Sequence, residues 1–259
     1  MSEHPPVPWN APAVERGIGF FETVLLVGRR AVLWEPHLDR LYRSLARLEL
    51  PAPDRGALLA EARERVKDLD EGERGLRLAW LAVGADLDDP ASWRLDMTLR
   101  EKPPHAHARR NGSRAVTLPP ELRRDTPGVK STSYFAAVLG LRLAKRRGAD
   151  EGLFAEADGA YAEGTSTGLV VWNGGDLLRP APPSLPSVTQ AAFLASGSTA
   201  ARLTREQLLS GALVVGSLTK AVPLLELDGA PCQVPPAMRE AAAAFNERLA
   251  SDPALASEL

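Results

Sequence analysis

An enzyme that needs an amine nucleophile must draw it from the lysines, and this chain of 259 residues has five: Lys67, Lys102, Lys130, Lys145 and Lys220. Arginine supplies the rest of the positive charge. Lys130 stands in Val129-Lys130-Ser131-Thr132-Ser133-Tyr134, just ahead of a helical stretch. A lysine attacks a carbonyl only as the neutral amine, and desolvation or a neighbouring cation lowers its pKa toward that state. Taken alone, Lys130 also fits a solvated lysine near a helix start. Lys67 and Lys145 fall on charged helical faces, and Lys102 lies in a polar loop.

Glu163 follows the apolar stretch Ala160-Tyr161-Ala162 and precedes Gly164-Thr165-Ser166-Thr167. A carboxylate at the end of a buried strand needs a partner; an ordinary strand-end residue reads the same way. Arg40 lies in a leucine-patterned helix, where a solvated face is the default reading. Two segments have the character of a phosphate seat. Leu185-Pro186-Ser187-Val188-Thr189-Gln190 is a loop feeding a helix, and Gly216-Ser217-Leu218-Thr219 is a small polar turn after a strand. Free N–H groups at such places attract anions.

Other patterns point elsewhere and fail on context. Gly164-Thr165-Ser166-Thr167-Gly168 satisfies the serine-hydrolase elbow G-x-S-x-G, but that elbow needs a helix after the serine. Here Leu169-Val170-Val171-Trp172 reads as a strand. Gly17-Ile18-Gly19 opens like a dinucleotide fingerprint without its third glycine or a following helix. His105 and His107 have no carboxylate or cysteine at ligand spacing. Asp86, Asp88 and Asp89 lack the rest of a calcium loop.

These residues must be held by a regular scaffold. Phe20 to Val27 reads as a strand, Gly28-Arg29-Arg30 as a turn, and Ala31 to Trp34 as the partner strand. Leu38, Leu41, Leu45 and Leu48 predict a helix after Pro36. Pro51 and Pro53 end it, and a second helix follows over about Arg55–Lys67. Leu76–Val83 and Trp93–Leu99 predict strands, and Ala115–Leu118 another. A helix is expected over Thr132–Arg147, with Gly148 as its stop. Strands are expected around Gly152–Glu156, Leu169–Trp172 and Leu213–Ser217. Ser187 or Thr189 is placed to cap a helix, and a last helix spans about Pro236–Ala250. The order of elements predicts two mixed α/β domains meeting near residue 120.

Composition narrows the class. Apolar residues make up 44% and charged residues 25%, with a net charge of −2, so no strong field recruits nucleic acid or a membrane surface. The single cysteine, Cys232, excludes a disulfide framework or a Cys-rich zinc site. No signal peptide is read at the start, and no apolar run reaches the roughly 18 residues of a spanning helix. A soluble, cytoplasmic protein is expected.

Taken in order, the motifs resemble those of the class IV aminotransferases, the fold-type IV enzymes dependent on pyridoxal phosphate. The match runs through Gly17-Ile18-Gly19-Phe20-Phe21-Glu22-Thr23, then His37-Leu38-Asp39-Arg40-Leu41, the segment Lys130 to Tyr134, Gly148-Ala149-Asp150-Glu151 and Glu163-Gly164-Thr165-Ser166. It continues through Leu185 to Gln190, Gly216-Ser217-Leu218 and Pro223 to Gly229. The resemblance implies an α+β (mixed α/β) two-domain fold. A small N-terminal α/β sandwich (1–118) and a linker (119–129) would precede a larger, barrel-like C-terminal cofactor domain (130–259). It implies a homodimer. It also implies that Lys130 bonds covalently to pyridoxal phosphate, that Glu163 pairs with the pyridine nitrogen, and that Tyr134 lies near the ring hydroxyl. Arg40, the Val188 and Thr189 amides, the Thr189 hydroxyl, Ser217 and Leu218 would hold the phosphate, and Leu185 would pack on a ring face. Arg77, on a predicted strand, is a candidate for a substrate carboxylate; a paired strand arginine is the plain alternative.

This chain departs from the family pattern at four places. Gly168 stands where asparagine is common, and Ser187-Val188-Thr189-Gln190 replaces Gly-Ile-Thr-Arg. Ser133 replaces an asparagine, and Ile18 an acidic residue. The expected activity is 4-amino-4-deoxychorismate lyase, releasing pyruvate to leave 4-aminobenzoate for folate synthesis. Transfer of an amino group between a branched-chain or D-amino acid and a 2-oxo acid is the alternative, and a non-catalytic relative the remote one.

Overall fold

The computed structural model describes residues 6–101, 111–195 and 197–259. His105 and His107 lie outside the described residues. The chain folds as two compact units, one of Met1–Lys102, Val129–Tyr134 and Leu249–Leu259, the other of Pro103–Gly128 and Phe135–Arg248. These bounds differ from the expected split at 118 and 130. Residues 119–128 of the expected linker go with the second unit, and Val129 with the segment carrying Lys130 goes with the first.

The first unit is built on an antiparallel sheet of β1 (Gly19–Val27), β2 (Arg30–Val32), β3 (Glu73–Ala82), β4 (Trp93–Glu101) and β14 (Ala256–Glu258), in the order β14-β2-β1-β3-β4. Alternation along β1 sends Phe20, Val24 and Leu26 to one face, where they meet Leu76, Leu78 and Met97. Two helices close that core, α2 (Trp34–Arg47) through Leu38, Leu41 and Leu45, and α3 (Arg55–Val66) through Leu58 and Ala62. A short α1 (Pro12–Glu15) precedes the sheet. The second strand is shorter than expected because α2 begins at Trp34, ahead of Pro36. A proline in the first helical turn loses no intrahelical bond. Asp54 caps α3 by accepting from the Ala57 N–H at 2.8 Å.

The second unit holds a nine-stranded mixed sheet. Its strands are β5 (Ser113–Thr117), β6 (Glu151–Ala155), β7 (Tyr161–Gly164), β8 (Gly168–Asn173), β9 (Asp176–Pro180), β10 (Thr199–Ala201), β11 (Ala212–Gly216), β12 (Lys220–Leu227) and β13 (Ala230–Pro231). Around it lie α4 (Phe135–Arg146), α5 (Val188–Phe193) and α6 (Arg205–Ser210). The long α7 (Pro236–Ser251) follows β13. Among the described residues no helix is long and apolar enough to cross a membrane.

The helix expected from Thr132 starts only at Phe135. Residues 130–132 instead lie along β1. The Phe21 N–H donates to the Lys130 carbonyl at 3.1 Å, and the Thr132 N–H donates to the Gly19 carbonyl at 2.8 Å. The Thr132 hydroxyl reaches the Gly17 carbonyl at 2.7 Å. This stitching needs a bare backbone at Gly19, where an added Cβ would sit 2.8 Å from Thr132 Oγ1 and 3.1 Å from the Trp80 carbonyl. Gly19→Val should therefore lower stability by roughly 1–3 kcal/mol through overpacking, read from urea unfolding. An unchanged urea midpoint would show that the strap is not held there.

Candidate active site

In the first unit, successive residues of β1 serve opposite faces of the sheet. Glu22 points to the helix side, is fully buried, and lies in a strand otherwise apolar around it. His37 and Arg40 stand three apart on α2, so they share one helical face. The Arg40 Nε donates to Glu22 Oε1 at 2.8 Å, and its Nη2 donates to Oε2 at 2.5 Å. His37 Nδ1 lies 2.7 Å from Oε2. Burial alone would raise the Glu22 carboxyl. The Arg40 charge and the hydrogen bonds from Arg40 and His37 outweigh it and hold it down at about 2. Burial pushes the His37 imidazole below its ordinary value, against the opposing pull of Glu22, while Arg40 and Lys130 add to the lowering. An ionised carboxylate only accepts, so the neutral imidazole carries its proton on Nδ1.

Phe21 faces the other way and gathers three predicted site residues. The Tyr134 ring meets it edge-on with centroids 5.1 Å apart. Lys130 Nζ lies 4.6 Å from the Phe21 centroid and 5.7 Å from that of Tyr134. The Arg77 guanidinium carbon lies 3.8 Å from the Phe21 centroid. Burial, and then the like charge of Arg100, lower the Arg77 guanidinium to about 10, partly offset by Tyr134. Among the described residues no acidic side chain pairs with Arg77. Lys130, Tyr134 and Arg77 are therefore brought together, while Arg40 is anchored to Glu22 on the helix side.

In the second unit, Glu163 sits on β7, 6% exposed. The Leu185 N–H donates to its Oε1 at 3.4 Å, and Arg124 Nη2 lies 3.4 Å from Oε2. Arg124 also donates to the carbonyls of Thr165 at 3.0 Å and Gly164 at 3.5 Å. The turn 164–168 is where the predicted phosphate segments meet. A Cβ at Gly168 would sit 2.9 Å from Ser187 Cβ, and one at Gly216 would sit 3.3 Å from the Ser166 carbonyl. Ser187 caps α5 by accepting from the Gln190 N–H, and Gln190 Nε2 donates to the Leu169 carbonyl at 2.5 Å. Leu185 is thus set beside Glu163, and Ser187, directly before Val188 and Thr189, lies against Gly168. Ser217 and Leu218 follow a glycine pressed against the same turn. The strand β8 follows that turn directly, so the hydrolase elbow's helix is absent.

Glu22, His37, Arg124 and Glu151 were not singled out by sequence as functional residues. Glu22 carried a legible signal, a carboxylate inside an apolar strand. Arg124 carried none, since it reads as one more linker arginine.

A family model described as amino-transferase class IV matches residues 19–227. The chain is 32% identical over 203 residues to the bifunctional aminodeoxychorismate lyase/D-amino acid transaminase of Mycobacterium tuberculosis, covering 70% of this chain and 69% of that one. The PLP-bound form of a hypothetical aminotransferase from M. tuberculosis superposes with a TM-score of 0.82 at 28% identity, over 97% of this chain and 96% of that one. The branched-chain aminotransferase of Thermoproteus uzoniensis shares the fold, with a TM-score of 0.84 at 19% identity over 98% and 94% of the two chains.

The buried carboxylate sets a pH dependence. Below pH 6.5, the unfolded His37 takes up a proton that the folded one resists, so stability falls as pH drops. Between pH 4.5 and about 2, Glu22 protonates in the unfolded chain first, and the loss steepens. Urea midpoints measured from pH 7 to pH 3 should fall steadily, and a flat profile would contradict the geometry. Glu22→Ala, which strips the carboxylate from a buried guanidinium, should cost about 3–5 kcal/mol at pH 7.

Proposed function

The chain belongs to the class IV aminotransferase family, and we propose that it acts on 4-amino-4-deoxychorismate, releasing pyruvate to leave 4-aminobenzoate. It is a pyridoxal phosphate enzyme. The cofactor, when bound, supplies a sink for the electron pair left at Cα as its proton departs. The donor chemistry of the chain fits that group. In the first unit an amine stands among aromatic rings, where attack on an aldehyde requires it to be neutral. In the second a buried carboxylate with a backbone N–H on one oxygen suits a ring N–H.

The roles assigned are these. Lys130 would hold the cofactor covalently and would carry the proton at Cα. Glu163 holds the proton on the ring nitrogen, Tyr134 meets the ring hydroxyl, and Leu185 packs on the ring. Arg40, the amides of Val188 and Thr189, the Thr189 hydroxyl, Ser217 and Leu218 take the phosphate; a guanidinium and N–H groups together suit a dianion. Arg77 takes a substrate carboxylate.

The observation that carries this reading is that the Arg77 guanidinium and the Lys130 amine are set against one Phe21 ring, with no acidic side chain on Arg77 among the described residues. Such a site calls for an anion beside the reacting amine. The lyase is favoured over a plain transaminase by the relative named for both activities. The same name supports D-amino acid transamination as the second reading.

Incubation with aminodeoxychorismate should yield 4-aminobenzoate and pyruvate in equal amounts with no 2-oxo acid added. Amino-group transfer from D-amino acids without 4-aminobenzoate would overturn the lyase in favour of the second reading; neither product would overturn both. Lys130→Ala should abolish the visible, borohydride-sensitive band of the holoenzyme. Arg77→Ala should raise KM about tenfold or more, as expected for a lost charge-assisted bond of about 1.5–3 kcal/mol, with a smaller change in kcat.

A further inference from the structure

Glu151, the first residue of β6, is fully buried. Its carboxylate collects at least five donors. Oε1 accepts from the Gly152 N–H at 3.1 Å, the Thr165 N–H at 3.0 Å and the Thr165 hydroxyl. Oε2 accepts from the Ser166 hydroxyl at 2.9 Å and the Thr167 hydroxyl at 3.0 Å. Four of these donors come from three consecutive residues, so the turn after β7 is wrapped around one acid. A carboxylate is costly to bury unless its lone pairs are filled, and here the turn fills them. The converse also holds: without the acid, two backbone N–H groups and three hydroxyls lose their common acceptor.

What this turn touches gives the arrangement a purpose. Glu163 lies two residues before Thr165, and Arg124 binds both the Glu163 carboxylate and the Thr165 carbonyl. A Cβ at Gly164 would overlap the Thr167 hydroxyl and approach the Glu151 carboxyl carbon at 3.1 Å, so the backbone is drawn tightly onto the acid. At the crown of the turn, the Ser166 carbonyl lies against Gly216, directly before Ser217 and Leu218. One buried acid thus fixes both the strand end bearing Glu163 and the surface on which the 216–219 turn rests.

We propose that Glu151 is a positioning residue for the cofactor. It holds the 165–167 turn so that Glu163 and the Ser217-Leu218 turn keep their places. This rests on the cofactor reading above. Glu151→Gln preserves the shape and an acceptor for the Thr165 N–H, and its amide can donate to hydroxyls that rotate to accept. Glu151→Ala removes every acceptor. Ser166→Ala, at an exposed residue, removes one bond alone.

Each variant is compared with wild type for its affinity for pyridoxal phosphate, its affinity for pyridoxal, the wavelength of its bound visible band, and its urea midpoint. Glu151→Ala is expected to weaken pyridoxal phosphate binding at least tenfold and shift the band, as loss of an orienting partner does elsewhere. Glu151→Gln should recover to within about threefold. Ser166→Ala should weaken binding two- to threefold, about what loss of one exposed-side hydrogen bond gives. Pyridoxal, which lacks the phosphate, should lose less affinity than pyridoxal phosphate in Glu151→Ala. If Glu151→Ala does not fold, the ordering of wild type, Glu151→Gln and Ser166→Ala decides the matter. Variants with altered urea midpoints but wild-type affinity and band position would overturn the proposal and leave Glu151 a stabilising residue only. Lys130→Ala separates the two readings. If it leaves binding and the band unchanged, the cofactor reading itself falls, whatever the Glu151 series does.

Discussion

A carboxylate taken out of water must be met by donors on all sides, and the functional half of each unit is organised around that demand. Glu22 is met by a guanidinium and an imidazole three residues apart on one helix. Glu151 is met by the amide and hydroxyls of one turn. Glu163 is met by the loop amide of Leu185 and an arginine that also grips the neighbouring backbone. Each acid ties together elements distant in sequence, and each set of donors has little freedom, because a lost bond leaves a buried charge short of a partner. Rigidity of the site is therefore a by-product of solvating its acids from within.

Close backbone approach is the second requirement, and it explains why glycines recur in the motifs. Gly19 lets the segment bearing Lys130 lie along β1. Gly168 admits Ser187, and Gly216 admits the Ser166 carbonyl. The departures at 168, 187 and 190 belong to one contact region. Gly168 leaves space for the Ser187 side chain, and Gln190 donates to the carbonyl of the residue after Gly168. An arginine is thus replaced by an amide that binds backbone, and the loop keeps an anchor of a different kind.

Much of the scaffold was legible because period-2 alternation and leucine spacing report burial directly. The strands at 20–27, 76–82 and 93–99 and the helices at 38–47 and 55–66 follow from that alone. What escaped notice depended on distant contacts. Thr132–Tyr134 has a sequence that suits a helix, yet tertiary hydrogen bonds to Gly17 and Gly19 hold its start extended. Strand β12 carries Pro223 as its fourth residue and was not predicted as a strand. Strand β9 ends in Pro180 and β10 has only three residues, Thr199–Ala201, so neither shows a readable alternation. Of the candidate site residues, Lys130, Tyr134, Glu163 and Arg40 stand in motifs and could be named. Arg124 acts through backbone carbonyls and a carboxylate 39 residues away, and no local pattern encodes such a bond.

The arrangement around Phe21 bears on how a substrate is held. Even lowered to about 10, the Arg77 guanidinium is charged at neutral pH. The aromatic face offers it a partial negative charge through the ring quadrupole, worth only about 1–2 kcal/mol. Burial is the largest influence on this guanidinium, and among the described residues no acidic side chain offsets it. A carboxylate beside it would supply the missing charge, and on the roles proposed above the favoured ligand is one whose acid reaches Arg77 while its reacting carbon stays near Lys130. On that proposal, selection among ligands is a question of distance between two of their groups, set by the one aromatic ring that Arg77 and Lys130 share.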